Sequence, residues 1–108
     1  MIPFEVLIDK IREVCDRYPL RVSQLWCFNE DGTPEDPIGH ALHELGVTLP
    51  EHYNERLSIA FNWPLLGFTR PTDEQRDWVD NLQVGVDGNY PWVLALVLAD
   101  MPDVELAK

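Results

Sequence analysis

The residues best suited to chemistry in this sequence are one cysteine, a glycine–histidine pair and a second histidine. They are Cys27, Gly39, His40 and His43. A thiol and an imidazole can serve as nucleophile and general base. No nucleophile elbow, glycine-rich oxyanion loop or phosphate cradle accompanies them, so the sequence predicts no catalytic residue. A minor enzyme site around Cys27 and His40 is kept as an alternative.

A metal site built from these residues would also use the acids Asp31 and Asp36. Cysteine, histidine and aspartate are suitable zinc ligands, and His40 and His43 fall on roughly one side of a helix. The paired CxxC or HxxxH spacing that makes a zinc site specific is absent. We therefore predict no metal and no cofactor, with a site around Cys27 and His40 as the alternative.

Helical geometry separates the two histidines from the apolar side of their own predicted helix. That apolar stripe consists of Ile38, Ala41, Leu42 and Leu45. Gly39 lies in the first turn, where it costs about 1 kcal/mol of helix propensity relative to alanine. Two interpretations stay open. Either the segment 19–35 packs over Gly39 and hydrogen-bonds His40, or Cys27, Gly39, His40 and His43 form a pocket or interaction site.

Charge is the second distinctive property of the chain. Nineteen Asp and Glu oppose eight Lys and Arg, which gives a formal net charge of −11. Direct binding to nucleic acid depends on basic side chains, so this balance argues against it. Asp73, Asp77 and Asp80 share one face of a predicted helix, opposite its apolar stripe. Such a face is either a solvated surface or a surface that steers a basic partner.

Periodicity and capping signals predict a mainly α fold in one domain spanning residues 1–108. We expect a compact bundle of four to five short helices, with one short β-hairpin near residues 22–35. The first helix runs from about Pro3 to Tyr18, and Cys15 on its apolar stripe is predicted to be a small buried hydrophobe. Asp36 and Gly46 mark the cap and the end of the next helix.

Two further helices open with capping boxes. Thr48 and Glu51 begin one helix, which Trp63-Pro64 ends, and Thr72 and Gln75 begin the other.

The last element, from Trp92 to Asp100, is apolar on all sides. Periodicity alone does not separate a buried helix from a buried strand, but Pro91 at its start and its Leu and Ala content favour a helix. A helix apolar all round must be covered on every side, by the domain or by a second chain. A homodimer through Trp92 and Leu96 is therefore one expectation.

Part of the sequence resembles a family of small uncharacterised proteins of actinobacteria and their bacteriophages. The resemblance covers roughly residues 25–100. It is carried by Cys27, Asp31-Gly32, Pro34, Ile38-Gly39-His40-Ala41-Leu42, Leu45-Gly46-Val47, Asp87-Gly88 and Pro91-Trp92. Many relatives have a second cysteine where this chain has Asp36 or a neighbour. The resemblance implies a phage or actinobacterial origin and no particular activity.

Nothing in the sequence predicts a membrane protein. Acidic and basic residues interrupt every apolar run of residues 1–18, and the longest apolar stretch is far shorter than the ~20 residues that span a bilayer. We predict a cytoplasmic protein, in the host cytoplasm if phage-encoded.

The predicted function is a protein–protein interaction or regulatory module that binds an unknown protein partner, host-encoded if the chain is from a phage. The alternative within binding functions is an acidic mimic of DNA that inhibits a nucleic-acid-binding protein.

Overall fold

A computed structural model of the chain describes residues 1–23, 33–47 and 63–101. Over these ranges the chain forms four α-helices and a single 3-10 turn at Trp63–Leu66. The helices are α1 (Phe4–Arg17), α2 (Pro37–Glu44), α3 (Asp73–Asp87) and α4 (Trp92–Asp100). The predicted mainly α bundle is confirmed.

Helix α1 lies at the centre of the packing and contacts each of the other three helices. Five residues of its apolar stripe are buried, Phe4, Leu7, Ile11, Val14 and Cys15, and burial raises the pKa of the Cys15 thiol to about 12. The segment before α1 is held by a parallel bridge between Ile2 and Phe68. The Phe4 amide, which has no acceptor within the helix, donates to Thr69 Oγ1 at 2.9 Å.

Helix α2 begins and ends where its capping residues predict. Asp36 accepts a 2.7 Å hydrogen bond from the Gly39 amide, and Pro37 occupies the first helical position. Gly46 follows the helix with a φ of +75°, the left-handed conformation that glycine adopts without strain. Local chemistry is therefore sufficient to set both ends of this helix.

Helices α3 and α4 form an antiparallel hairpin joined by a short turn. The capping box of α3 is present in both directions between Thr72 and Gln75, at 2.9 and 3.1 Å. Near the other end of α3, a Cβ on Gly85 would lie 3.0 Å from Ala95 Cα. Glycine is thus required there, because the backbones of the two helices approach too closely for a side chain between them.

Most of the predicted hairpin near residues 22–35 lies outside the described ranges. Of the described residues in that range, none belongs to a strand, and Pro34 lies in an isolated β-bridge. Residues 19–21 instead contact the start of α4. The Trp92 amide donates to the Arg21 carbonyl at 2.9 Å and the Val93 amide to the Pro19 carbonyl at 3.0 Å. These bonds use the carbonyls to cap a helix, not to pair strands.

The predicted helix that opens at Thr48 and Glu51 also lies outside the described residues. At Trp63-Pro64, where that helix was predicted to end, the chain forms the 3-10 turn and buries Trp63 against Phe4, with ring centroids 5.2 Å apart.

The last apolar segment is a helix, and one of its two predicted dimer contacts is corrected. Trp92 is fully buried within its own chain, so it has no surface to offer a second copy. Leu96 is half-buried and packs against the core. None of the described helices has the length and apolar character needed to cross a membrane.

Candidate functional site

The structure places the described residues of the predicted site, Gly39, His40 and His43, in different environments. Gly39 is buried in the first turn of α2 with its amide bonded to Asp36, while His43 is exposed. His40 is half-buried. Cys27 lies outside the described residues, so its pairing with His40 stays a prediction.

His40 packs in an aromatic and cationic corner made by α1, α4 and the segment after α1. Its ring lies 5.5 Å from the ring of Trp92 and 5.7 Å from that of Tyr18, in tilted or edge-on geometries. Arg21 Nη1 lies 3.3 Å from His40 Nε2, and the Arg21 guanidinium stacks 5.1 Å from the Trp92 ring. His40 therefore contributes to packing, although it falls opposite the apolar stripe of its own helix.

The surroundings of His40 favour its neutral form. Burial lowers the pKa of His40, and the positive charge of Arg21 lowers it further. The neutral ring can accept at Nε2 the hydrogen bond that Arg21 donates from Nη1, whereas a protonated ring cannot. Arg21, from the segment 19–35, is thus the hydrogen-bond partner of His40.

A buried hydrogen-bond chain fixes the same corner. Trp92 Nε1 donates to Ser23 Oγ at 2.7 Å, and Ser23 Oγ donates to the Glu35 carbonyl at 2.8 Å. Ser23 is almost completely buried. The corner ties α4 to the segments on either side of residues 24–32, which is a structural role.

The described residues do not form the metal site that was considered as an alternative. Within residues 1–23, 33–47 and 63–101, no three His, Cys, Asp or Glu side chains come together to hold a metal ion. Cys27 and Asp31 lie outside these ranges.

The basic side chains of α1 are bound to carboxylates of the same chain. Arg12 makes a bidentate pair with Asp100, at 2.8 and 2.6 Å. Arg17 pairs in the same way with Glu44, at 2.8 and 3.0 Å. These contacts lower the pKa of both carboxylates, because a hydrogen-bonded guanidinium favours the ionised form.

Helix α3 carries five acidic residues and one basic residue. Asp73 pairs with Arg76 at 3.1 Å on the exposed surface. Among the described residues, no basic side chain lies within 4.0 Å of Asp77 or Asp80. Asp77 is exposed and Asp80 is half-buried. Of the three residues of the predicted acidic surface, Asp80 is therefore less accessible than Asp73 and Asp77.

Beside this acidic surface lies an apolar one that sequence reasoning missed. We define the outer face of α4 as the exposed apolar side chains of the helix and of its C-cap residue, which are Leu94, Val97 and Met101, with relative exposures of 37%, 36% and 56%. Val84, on the neighbouring helix α3, is 64% exposed. The spacing i, i+3, i+7 was visible in the sequence, but a helix apolar on all sides does not indicate which stripe faces out.

Comparison with known proteins gives no further guide. The chain matches no protein-family model, no curated protein and no solved structure. The chemistry of the described surfaces is therefore the basis for a function.

Proposed function

We propose that this protein is an acidic interaction module that acts by binding a basic partner protein. The observation that carries the proposal is the unequal pairing of its charges. The basic side chains of α1 are held in ion pairs within the chain, whereas Asp77 and Asp80 of α3 have no such partner among the described residues. Asp77, and to a smaller extent the half-buried Asp80, is thus available to a second molecule.

The position of these carboxylates also favours a binding role over a stabilising one. Asp73 and Glu74 lie in the first turn of α3, where they interact favourably with the helix dipole. Asp77 and Asp80 lie beyond that turn, and like charges at i, i+4, such as Asp73 and Asp77, cost a few tenths of a kcal/mol. Neither carboxylate has an ion pair in the described structure that would offset the cost.

An acidic surface on a chain with a net charge of −11 attracts a basic surface over distances near the Debye length, about 8 Å at physiological salt. This attraction raises the association rate and selects against acidic competitors. If the chain is phage-encoded, one of the two origins that the family resemblance implies, the partner is a host protein and binding takes place in the host cytoplasm.

The test is capture of partner proteins by immobilised protein from host lysate. We expect Asp77→Asn/Asp80→Asn to reduce the recovered partner severalfold. Glu5→Gln/Asp9→Asn on α1 changes the net charge by the same amount and serves as the matched control, with recovery unchanged. Recovery of no partner, or equal recovery with both double variants, would contradict the proposal.

The acidic row on α3 also supports the second candidate, a mimic of DNA. Salt separates the two possibilities. A mimic that replaces a row of phosphates loses partner binding steeply between low and moderate salt, and the partner is then released by duplex DNA. A shallow salt response, with no competition by DNA, favours the interaction module.

A further inference from the structure

We propose that the outer face of α4 is the docking surface for a basic amphipathic helix of the partner protein. The inference rests on the proposed function and adds to it the place of docking and the form of the partner. Leu94, Val97 and Met101 project from one side of α4 at the spacing that a partner helix matches with its own i, i+3, i+7 side chains.

Side chains on this face are only partly covered within the described fold, since Leu94, Val97 and Met101 expose 37%, 36% and 56% of their surface. The core is completed by the opposite side of α4, where Trp92, Ala95 and Ala99 are buried. No charged residue occurs between Pro91 and Ala99. The face is therefore an uninterrupted apolar strip, which a soluble protein usually keeps for a binding partner.

Helix α3 places carboxylates beside this strip. The indole nitrogen of Trp78 donates to Asp100 Oδ1 at 2.9 Å, which sets the first turns of α3 against the last turn of α4. Asp77, next to Trp78 in the sequence, is exposed at the same end as Met101. At the other end Gly85 contacts Ala95, so its exposed neighbour Val84 extends the apolar strip.

This arrangement identifies the chemistry of the occupant. An amphipathic helix with leucine-like residues on one side would cover the apolar strip. Lysine or arginine on its flank would meet Asp77. A second copy of this chain fits poorly, because it brings another net charge of −11 and another acidic α3 to the same surface.

The docking surface is also fixed before binding. Asp100 is held by Arg12 and Trp78 at the end of α4, and the carbonyls of Pro19 and Arg21 cap its start. A preformed surface loses little conformational freedom on binding, so more of the contact energy appears as affinity.

The probe is a synthetic peptide of leucine and lysine, about 15 residues long so that a helix can form, with its leucines at i, i+3, i+4 and i+7. An isomer of the same composition with scrambled leucines measures attraction by charge alone. We expect the patterned peptide to bind at least tenfold more tightly than the isomer by calorimetry, or about 1.4 kcal/mol.

The double variant Leu94→Gln/Val97→Gln should remove that difference and leave binding of the scrambled isomer unchanged. Leu65→Gln is the matched control, because Leu65 is also exposed but lies in the 3-10 turn, away from α4. Backbone amide shifts on titration should be largest at residues 84, 94, 97 and 101. Unchanged melting temperatures would show that the variants are folded.

Equal affinity for the two peptides, or an undiminished preference in the double variant, would overturn the docking surface while leaving attraction of basic partners intact. Failure of both peptides to bind would count against the proposed function itself. Self-association of the protein that Leu94→Gln/Val97→Gln abolishes, measured by light scattering, would replace the basic helix with a second copy.

Discussion

The two sides of α4 are equally apolar, but only one of them is used by the fold. The inner side has one large residue, Trp92, followed by the small residues Ala95 and Ala99, whereas the outer side has medium-sized residues throughout. The Trp92 ring packs against Tyr18 and His40, and Ala95 lets α3 approach closely at Gly85. The comparison shows that side-chain shape and polar anchoring, more than hydrophobicity, decide which side of such a helix is buried.

The largest difference in the free energy of unfolding should come from comparing one alanine substitution on each side of α4. We expect Trp92→Ala to lower the free energy of unfolding by about 3–5 kcal/mol, since it leaves a cavity and removes the donor to Ser23. Leu94→Ala should lower it by only about 1 kcal/mol, because Leu94 already exposes 37% of its surface. Urea denaturation measures both values. Similar losses for the two variants would abolish the distinction between the sides.

The next effect concerns the close contact of α3 with α4. Alanine at position 85 would gain helix propensity, but its Cβ would lie 3.0 Å from the Ala95 backbone. We expect Gly85→Ala to destabilise the protein by about 1–3 kcal/mol, because one helix must move. Val84→Ala, one residue away on the exposed side, is the control and should be nearly neutral. A more stable Gly85→Ala protein would show that there is room for a methyl group between α3 and α4 at Ala95.

A smaller effect is expected at the end of α4, where Asp100 links the inner side to α1 and α3. Asp100→Asn removes the bidentate ion pair with Arg12 but keeps an acceptor for Trp78. The pair is partly exposed, so we expect a loss of about 1 kcal/mol at neutral pH. Thermal unfolding across pH measures it.

The pH dependence of that loss follows from the pKa of Asp100, which the hydrogen bond from Arg12 lowers in the folded state. The stabilisation is fully present above the unfolded pKa, about 3.9, and disappears as pH falls through the folded pKa. The stability curves of wild type and Asp100→Asn should therefore converge in acid. Parallel curves would mean that Asp100 acts through packing alone.

The smallest effect concerns His40 of α2, whose ring packs against Trp92 at the start of α4. Its folded pKa is lowered, so stability is unaffected above the ordinary value of about 6.5 and decreases as pH falls toward the folded pKa. Arg21→Gln should raise the pKa of His40 only part of the way to its ordinary value, because burial lowers this pKa more than Arg21 does. Proton NMR of the ring measures the pKa. Full recovery of the ordinary pKa would contradict that order of causes.

Local signals were sufficient to predict most of the described fold. The caps at Asp36 and Thr72 and the turn at Gly46 depend on residues within one helical turn, so the sequence contains all that determines them. Residues 22–23, where the predicted hairpin begins, belong to no strand for the opposite reason. Alternating apolar residues allow a strand, but the backbone groups of Pro19 and Arg21 bond to α4 instead.

The candidate site was predicted less completely because its parts are distant in the chain. The carboxylates of α3 follow helical spacing and were found from the sequence. Which basic side chains are held in ion pairs depends on contacts such as that of Arg12 with Asp100, 88 residues apart in the sequence. No local sequence pattern indicates such pairs. The outer face of α4 likewise becomes identifiable only when Trp92 is known to be buried.

The contact of α1 with α4 has a consequence for the order in which the protein folds. Chains are synthesised from the amino terminus, so α1 has left the ribosome before α4 is made. The helix that is apolar on all sides therefore emerges after α1 and after α3, which covers most of its buried side. Only the side that stays open in the finished protein is left to attract other nascent or misfolded chains.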